Sequence, residues 1–340
     1  MAETDVFQRI AECAGLFDRS DRCRLAVHGP DRAKFLHNLV TNEVKRLPVG
    51  KGCEAFVTSI QGRTLAFVIV AAAEESILVG IDPEVIGGLM PHLQKYGVFD
   101  DIAIEDRSAR TFEYHLAGPS AEEIVKKCGG QLPENTDLAH VQTEVASQVV
   151  RLIRESPAGL PGLTLIGDVK EAGLVKAVVL SIGRDLGLVE AGPEVFEVLR
   201  IEAGTPVFGK DITDKNLPQE IGRDARAINF VKGCYLGQET VARLDALGHV
   251  NQILKGLVFE PGSPCPEPGA LIEGGSKQAG AVSSAAFSPL RNSPVALAIV
   301  RTTHATAGTR VNVAPSDRGT SIAAIVCDLP ITRPRQENSA

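Results

Sequence analysis

The chain contains no tryptophan, two methionines and three tyrosines, so its core must be built from aliphatic residues and twelve phenylalanines. Its seven cysteines, at 13, 23, 53, 128, 234, 265 and 327, never occur at two-residue spacing, which excludes a zinc knuckle or a local iron–sulfur cradle. Their odd number and their apolar surroundings fit reduced thiols of a cytoplasmic protein rather than a disulfide framework. The seven histidines show no metal-ligand spacing, so no metal is expected. There is no apolar run of about 18 residues to cross a membrane and no basic-then-apolar leader. Nor is there a basic excess: the net charge of −7 argues against a broad nucleic-acid surface, though not against a confined basic pocket. What is present is a soluble composition, 44% hydrophobic and 23% charged. At 340 residues it exceeds one ordinary core and predicts two or three packed units.

The pattern mixes helices and strands up to about residue 248 and becomes all-β beyond it. Asp82-Pro83 reads as a cap and first helical residue, followed by Val85, Ile86, Leu89 and Leu93 at helical spacing and stopped by Gly97. Ser120 and Glu123 predict a capping box for a helix that ends at Gly129-Gly130 and buries Cys128. Further helices are expected over 32–40 and from Pro193. Strands are expected over 64–71 and 76–81 as a hairpin, then over 148–154 and 175–182. After Gly248, short apolar runs at 253–260, 279–287, 295–300, 310–313 and 322–327 alternate with glycine, proline and serine turns, as in a small barrel. Residues 261–269 form a stiff proline-rich loop, and 331–340 read as a flexible tail.

One segment concentrates chemistry. Lys232-Gly233-Cys234-Tyr235-Leu236-Gly237-Gln238-Glu239 sets two glycines among an ammonium, a thiol, a phenol, an amide and a carboxylate. If 232–234 is extended, Lys232 and Cys234 share a side, and the ammonium favours the thiolate. The same residues also read as a turn before a buried cysteine, with Glu239 in the first turn of a helix. His249, just beyond that helix, is the one histidine placed to join a site, although a surface or junction role fits it better.

This octet resembles the signature of the YgfZ family, within the superfamily of glycine-cleavage T-protein and related folate enzymes. Other pieces follow in order. Phe35-Leu36-His37-Asn38-Leu39-Val40-Thr41-Asn42-Glu43 resembles the superfamily's first helix and the turn after it. Leu116-Ala117-Gly118-Pro119-Ser120 resembles a later helix entry. Arg200-Ile201-Glu202-Ala203-Gly204-Thr205-Pro206 with Leu217-Pro218-Gln219-Glu220 resembles the stretch before the octet, and 279–289 the C-terminal barrel. The likeness spans about residues 10–328. It implies an α+β fold with a ring of subdomains around a folate channel: a folate-binding body over 1–248 and a β-barrel over 249–330. It implies tetrahydrofolate or a derivative as cofactor and a role in assembly or repair of iron–sulfur enzymes, including tRNA-modifying ones. The implied partners are those iron–sulfur proteins or their assembly factors, with no direct nucleic acid and no membrane.

Carried over residue by residue, the resemblance marks Lys232, Gly233, Cys234, Tyr235, Gly237, Gln238 and Glu239, with Arg200, Glu202 and Gly204. T-proteins place paired aspartates where this chain has Ala66 and Phe67, which can neither hold a charged amine nor relay a proton. Their Gly-Tyr-Thr-Gly-Glu segment has no counterpart in 183–192. A pterin edge suits a carboxylate (Glu202, Glu220 or Glu239), and a glutamate tail suits a cation (Arg200, Arg223 or Lys232). Tyr235 is an expected wall of that pocket. Two alternatives stay open, an aminomethyl- or methyltransferase and a protein-interaction scaffold without ligand.

Overall fold

The computed structural model describes residues 3–275, 277–314 and 321–331. A five-stranded antiparallel sheet runs in the order Gly52–Thr58, Thr64–Ala72, Ser76–Ile81, Cys23–His28, Ala103–Asp106. Helices Arg32–His37 and Ile86–Tyr96 close one of its faces, where Leu25, Val68, Val70, Leu36 and Leu89 form a dry core. The 64–81 hairpin is as expected, its two β-rich apolar runs pairing antiparallel. Pro83 opens a short 3-10 turn before Ile86–Tyr96, and Gly97 caps that helix. Asp82 does not cap it: its carboxylate is taken by Arg22 Nη1 at 2.7 Å and by the Phe208 amide at 2.8 Å.

A six-stranded sheet follows the order Leu188–Ala191, Ala14–Asp18, Thr111–Ala117, Gly162–Asp168, Gln148–Arg154, His140–Val145, parallel only between its first two strands. Helices Ala121–Lys127 and Ala172–Arg184 cover one face, and Glu3–Glu12 with Pro193–Ala203 cover the other. The strand expected over 175–182 is therefore helical. Its β-branched residues suited a strand, but Val175, Val179 and Gly183 are buried at four-residue spacing, and tertiary packing of that stripe decides. The expected capping box at Ser120 does not form either, because Ser120 is itself in a helical conformation and its side chain bonds no helix amide. Cys128 is buried in this core, as expected.

The last quarter closes into a six-stranded barrel in the order Gln252–Phe259, Ser293–Arg301, Lys277–Ser288, Leu271–Gly274, Arg310–Ala314, Ile322–Cys327. Leu257, Ile272, Val282, Ala298, Val313 and Val326 fill it. Strand Leu271–Gly274 escaped the sequence pattern, being four residues long with half its side chains outside. Closure leaves no unpaired edge. The fold is thus α+β with a terminal barrel. Of the expected tail, Ile331 is buried and donates its amide to the Glu202 carbonyl at 2.7 Å, while 332–340 lie outside the described residues. Among the described residues no helix is long and apolar enough to cross a membrane.

Candidate functional site

The octet is a loop followed by the first turn of helix Gln238–Leu247. Lys232 is 6% exposed, and its ammonium donates to three carbonyls, His37 at 2.6 Å, Val40 at 2.5 Å and Asn42 at 2.9 Å. Its nitrogen also lies 4.8 Å from the centre of the Tyr235 ring. Burial pushes its pKa down to about 8, against the pull of Glu43. All three ammonium hydrogens are thus committed to the end of helix Arg32–His37 and the turn after it. Cys234, by contrast, is exposed. The shared side that an extended 232–234 would give is not seen: Lys232 points into the interior and Cys234 is exposed.

Gly237 explains itself. Its φ of +83° is left-handed, and a Cβ there would stand 2.4 Å from the Ser59 carbonyl oxygen and 3.0 Å from the Gly62 Cα. The helix start is therefore pressed onto the turn between strands Gly52–Thr58 and Thr64–Ala72. Thr58 Oγ1 bonds the Leu236 carbonyl at 2.5 Å, and the Leu236 amide bonds the Asn38 carbonyl at 2.9 Å. Gly233 is exposed beside His37, Gln238 is partly buried in the first helical turn, and Glu239 after it is exposed. His249 is exposed at the far end of the same helix, as its surface reading implies.

A cavity of about 400 Å³ opens where the two sheets, helix Pro193–Ala203 and the loops around 205 and 223 converge. Phe67 and Phe196 supply aromatic wall. Arg223 sits 5.7 Å from the Phe67 ring centre and Arg19 4.5 Å from that of Phe196. Five arginines line it, 19, 22, 200, 223 and 226, with three carboxylates, Glu54, Asp82 and Glu155, so a confined basic excess exists within an acidic chain. Arg223 grips Glu54 through both carboxylate oxygens, at 2.7 and 2.5 Å, and Arg226 adds a third contact at 2.8 Å. Behind the wall, burial pushes the Glu113 carboxyl up, but Arg24, Arg19 and Arg22 outweigh it and hold its pKa down at about 2. Glu155 goes the other way: burial raises it, against Arg19.

The residues expected at a ligand site divide. Arg200 and Arg223 reach the cavity wall; Glu202, Glu220, Glu239, Lys232 and Tyr235 are not among the residues that line it. Glu202 accepts from Ser288 Oγ at 2.6 Å, and Glu220 accepts the Leu217 amide at 3.1 Å and Gln252 Nε2 at 3.2 Å. Tyr235 is buried in the cluster behind Phe67, and burial pushes its phenol up to about 12. Of the two positions where acids were sought, Ala66 points into the sheet core and only Phe67 meets the cavity. Gly183 and Gly192 with the residues between them are likewise absent from the wall; the loop 155–161, between strands Gln148–Arg154 and Gly162–Asp168, supplies Glu155, Ser156, Pro157 and Gly159 instead. Sequence reasoning missed Glu54, Asp82, Glu155, Arg19, Arg22 and Phe196. The one signal that could have found Asp82 was a capping position that the helix did not need.

Two family models match in series: the GCVT N-terminal domain over residues 4–232, more than half the chain, and the glycine cleavage T-protein C-terminal barrel domain over 253–332. The chain belongs to the glycine cleavage T-protein family. Among this family's members, the aminomethyltransferase of Streptomyces avermitilis is 28% identical over 314 residues, 91% of this chain and 84% of its own length. That of Symbiobacterium thermophilum is 26% identical over 334 residues, 95% of this chain and 88% of its own. The crystal structure of the glycine cleavage system aminomethyltransferase T from Bartonella henselae superposes with a TM-score of 0.86 at 20% identity, covering 97% of this chain and 89% of that one, a likeness of fold.

Proposed function

We propose that this T-protein family member binds tetrahydrofolate or a derivative in the central cavity and supports assembly or repair of iron–sulfur enzymes, including tRNA-modifying ones, with Cys234 at its exposed working loop. The observation that carries the folate reading is the cavity itself. Its volume suits a ligand of that size, Phe67 and Phe196 offer faces for a flat heterocycle, and its arginines suit the carboxylates of a glutamate tail. Arg226, its side chain 49% exposed, is the most exposed of the five arginines that line it. Folate, when bound, would supply a one-carbon unit at its reduced ring; this chain's part is to hold, orient and screen it. The iron–sulfur role rests on the YgfZ-like octet and on the exposure of Cys234.

The names of the relatives favour a second reading, aminomethyl transfer. Phe67 weighs against it: where the cavity wall passes positions 66 and 67 there is a phenyl ring and no carboxylate to take or give a proton. Calorimetry with tetrahydrofolate decides first, with saturable one-site binding expected and flat heats overturning the folate reading. Rescue of a strain lacking its own family member then tests the loop: Cys234→Ala should fold normally and fail to rescue. Ammonia release from an aminomethylated lipoyl carrier protein would establish the transferase reading instead.

A further inference from the structure

His37 ends helix Arg32–His37 beside the octet; its carbonyl holds Lys232, and its ring has a separate set of contacts. The residue is 7% exposed. Its Nδ1 stands 3.0 Å from Glu43 Oε1 and 3.4 Å from the Lys45 amide. A carboxylate at the shorter distance must face a hydrogen and not a second lone pair, so Nδ1 carries the hydrogen and donates to Glu43. Nε2 then bears the lone pair. It makes no hydrogen bond among the described residues, yet it is not sealed in, unlike the unpartnered Nε2 atoms of His92, His115 and His140. Gly233 gives its direction: a Cβ built there would lie 3.9 Å from this nitrogen, in ordinary contact. With glycine at 233, no side chain of that residue stands over the nitrogen.

The charged groups facing the ring are Glu43 and Lys45 from the turn after the helix and Lys232 from the octet. Burial first, then Lys232, lowers the histidine's pKa against the pull of Glu43, so at neutral pH the ring is uncharged and Nε2 can accept a proton. Lys232 cannot serve in its place, because its three hydrogens are bound to the carbonyls of His37, Val40 and Asn42. Cys234 follows Gly233 directly and is exposed, and exposed side chains exchange rotamers rapidly. A thiol beside a neutral imidazole whose other nitrogen is held by a carboxylate has a base to take its proton and a third group to orient that base.

We infer that the exposed loop carries a thiol–imidazole pair, His37 Nε2 taking the proton of Cys234, with Glu43 as the residue that positions the ring. This rests on the reading of Cys234 as the working group of the loop and adds how its thiol is activated. None of the three residues lines the central cavity. In reaction with iodoacetamide the sulfur bonds to carbon as iodide leaves, and the thiol proton passes to Nε2 and from there to water. His37→Gln keeps the backbone carbonyl that binds Lys232 and removes the titrating nitrogen. Glu43→Gln keeps the ring and loosens its aim.

The test is the pH profile of alkylation by iodoacetamide between about pH 6 and 9.5, read on the tryptic peptide of residues 233–243, whose only cysteine is Cys234. Wild type should react about 3- to 10-fold faster than His37→Gln near pH 7, with the two rates converging near pH 9.5, where a thiol ionises without help. Glu43→Gln should lie between them, and the exposed Cys265 should react alike in all three proteins. Lys232 titrates in the same window in each protein, so the difference between profiles carries the result. Thermal melts accompany each profile. Profiles of both variants that overlay wild type would overturn the pair; where His37→Gln melts early, an overlay by Glu43→Gln alone would do so. Full rescue by Cys234→Ala would remove the working-loop reading and this inference with it, whereas overlaid profiles with failed rescue would remove the inference alone.

Discussion

At the scale of single residues, Lys232 and Cys234 stand two apart and do different work. Lys232 staples the octet to three carbonyls, so Lys232→Met leaves three buried acceptors unmet and should cost about 2–4 kcal/mol in urea unfolding. Cys234→Ala, at an exposed position, should stay within about 0.5 kcal/mol of wild type by the same measurement. A Cys234→Ala variant that unfolded early would refute its placement as a presenting group. Gly237→Ala meets both a left-handed φ and the Ser59 carbonyl, and should lose about 2–4 kcal/mol.

Asp224 offers a residue-scale test with a pH sign. Burial first, then the Asp245 charge, raises its carboxyl from 3.8 to about 6, and one of its oxygens is buried without a partner. The folded state therefore holds a proton that the unfolded state has released between about pH 4 and 6. Stability from this group falls as pH rises through that window, and the cost is fully present above pH 6. Asp224→Asn should stabilise the protein by about 1–2 kcal/mol at pH 7, a value reduced from the full shift for partial solvent access, and by almost nothing near pH 4. Chemical denaturation at the two pH values checks this, and an equal gain at both would contradict it.

At the scale of elements, helix Pro193–Ala203 is the joint between cavity and barrel. Arg200, 1% exposed, bonds Asp211 at 2.6 Å, Ser284 Oγ at 2.7 Å and Glu197 through its other nitrogens, while Glu202 two residues on bonds Ser288. Arg200→Met would strand Asp211 in the interior, with an expected loss of about 3–5 kcal/mol. The same change removes a cation from the cavity wall, so folate affinity must be compared at matched folded fraction. The elements also show where sequence patterns are sufficient. The 64–81 hairpin and five of the six barrel strands were legible because β-rich apolar runs there are divided by turn residues. Helix Ala172–Arg184 was not, because Val175 and Val179 satisfy a strand and a helix equally until the sheet beneath selects the four-residue spacing.

At the scale of the whole molecule, the cavity exists only because two sheets, one helix and the loops around 157, 205, 223 and 329 meet there. A ligand bound in it ties all of them together, so saturating tetrahydrofolate at about 100 times its Kd should add about 2.7 kcal/mol and raise Tm by a few degrees. Absence of any shift at that saturation would place the ligand outside the folded core or remove it from the reading.

Sequence alone determined the α+β organisation, the change to an all-β barrel after Gly248, the family likeness and the importance of 232–239, since these depend on local periodicity and contiguous motifs. Tertiary structure alone decided which charges are spoken for. Glu202 and Glu220 looked as available as any carboxylate in the chain, yet Ser288 and the Leu217 turn take them. Glu155, in a loop that carried no motif, lines the cavity and accepts from Thr164 Oγ1 at 2.5 Å. Hydrogen-bond capacity is a property of the surroundings, assembled from residues as far apart as Glu54 and Arg223, and no spacing along the chain encodes it.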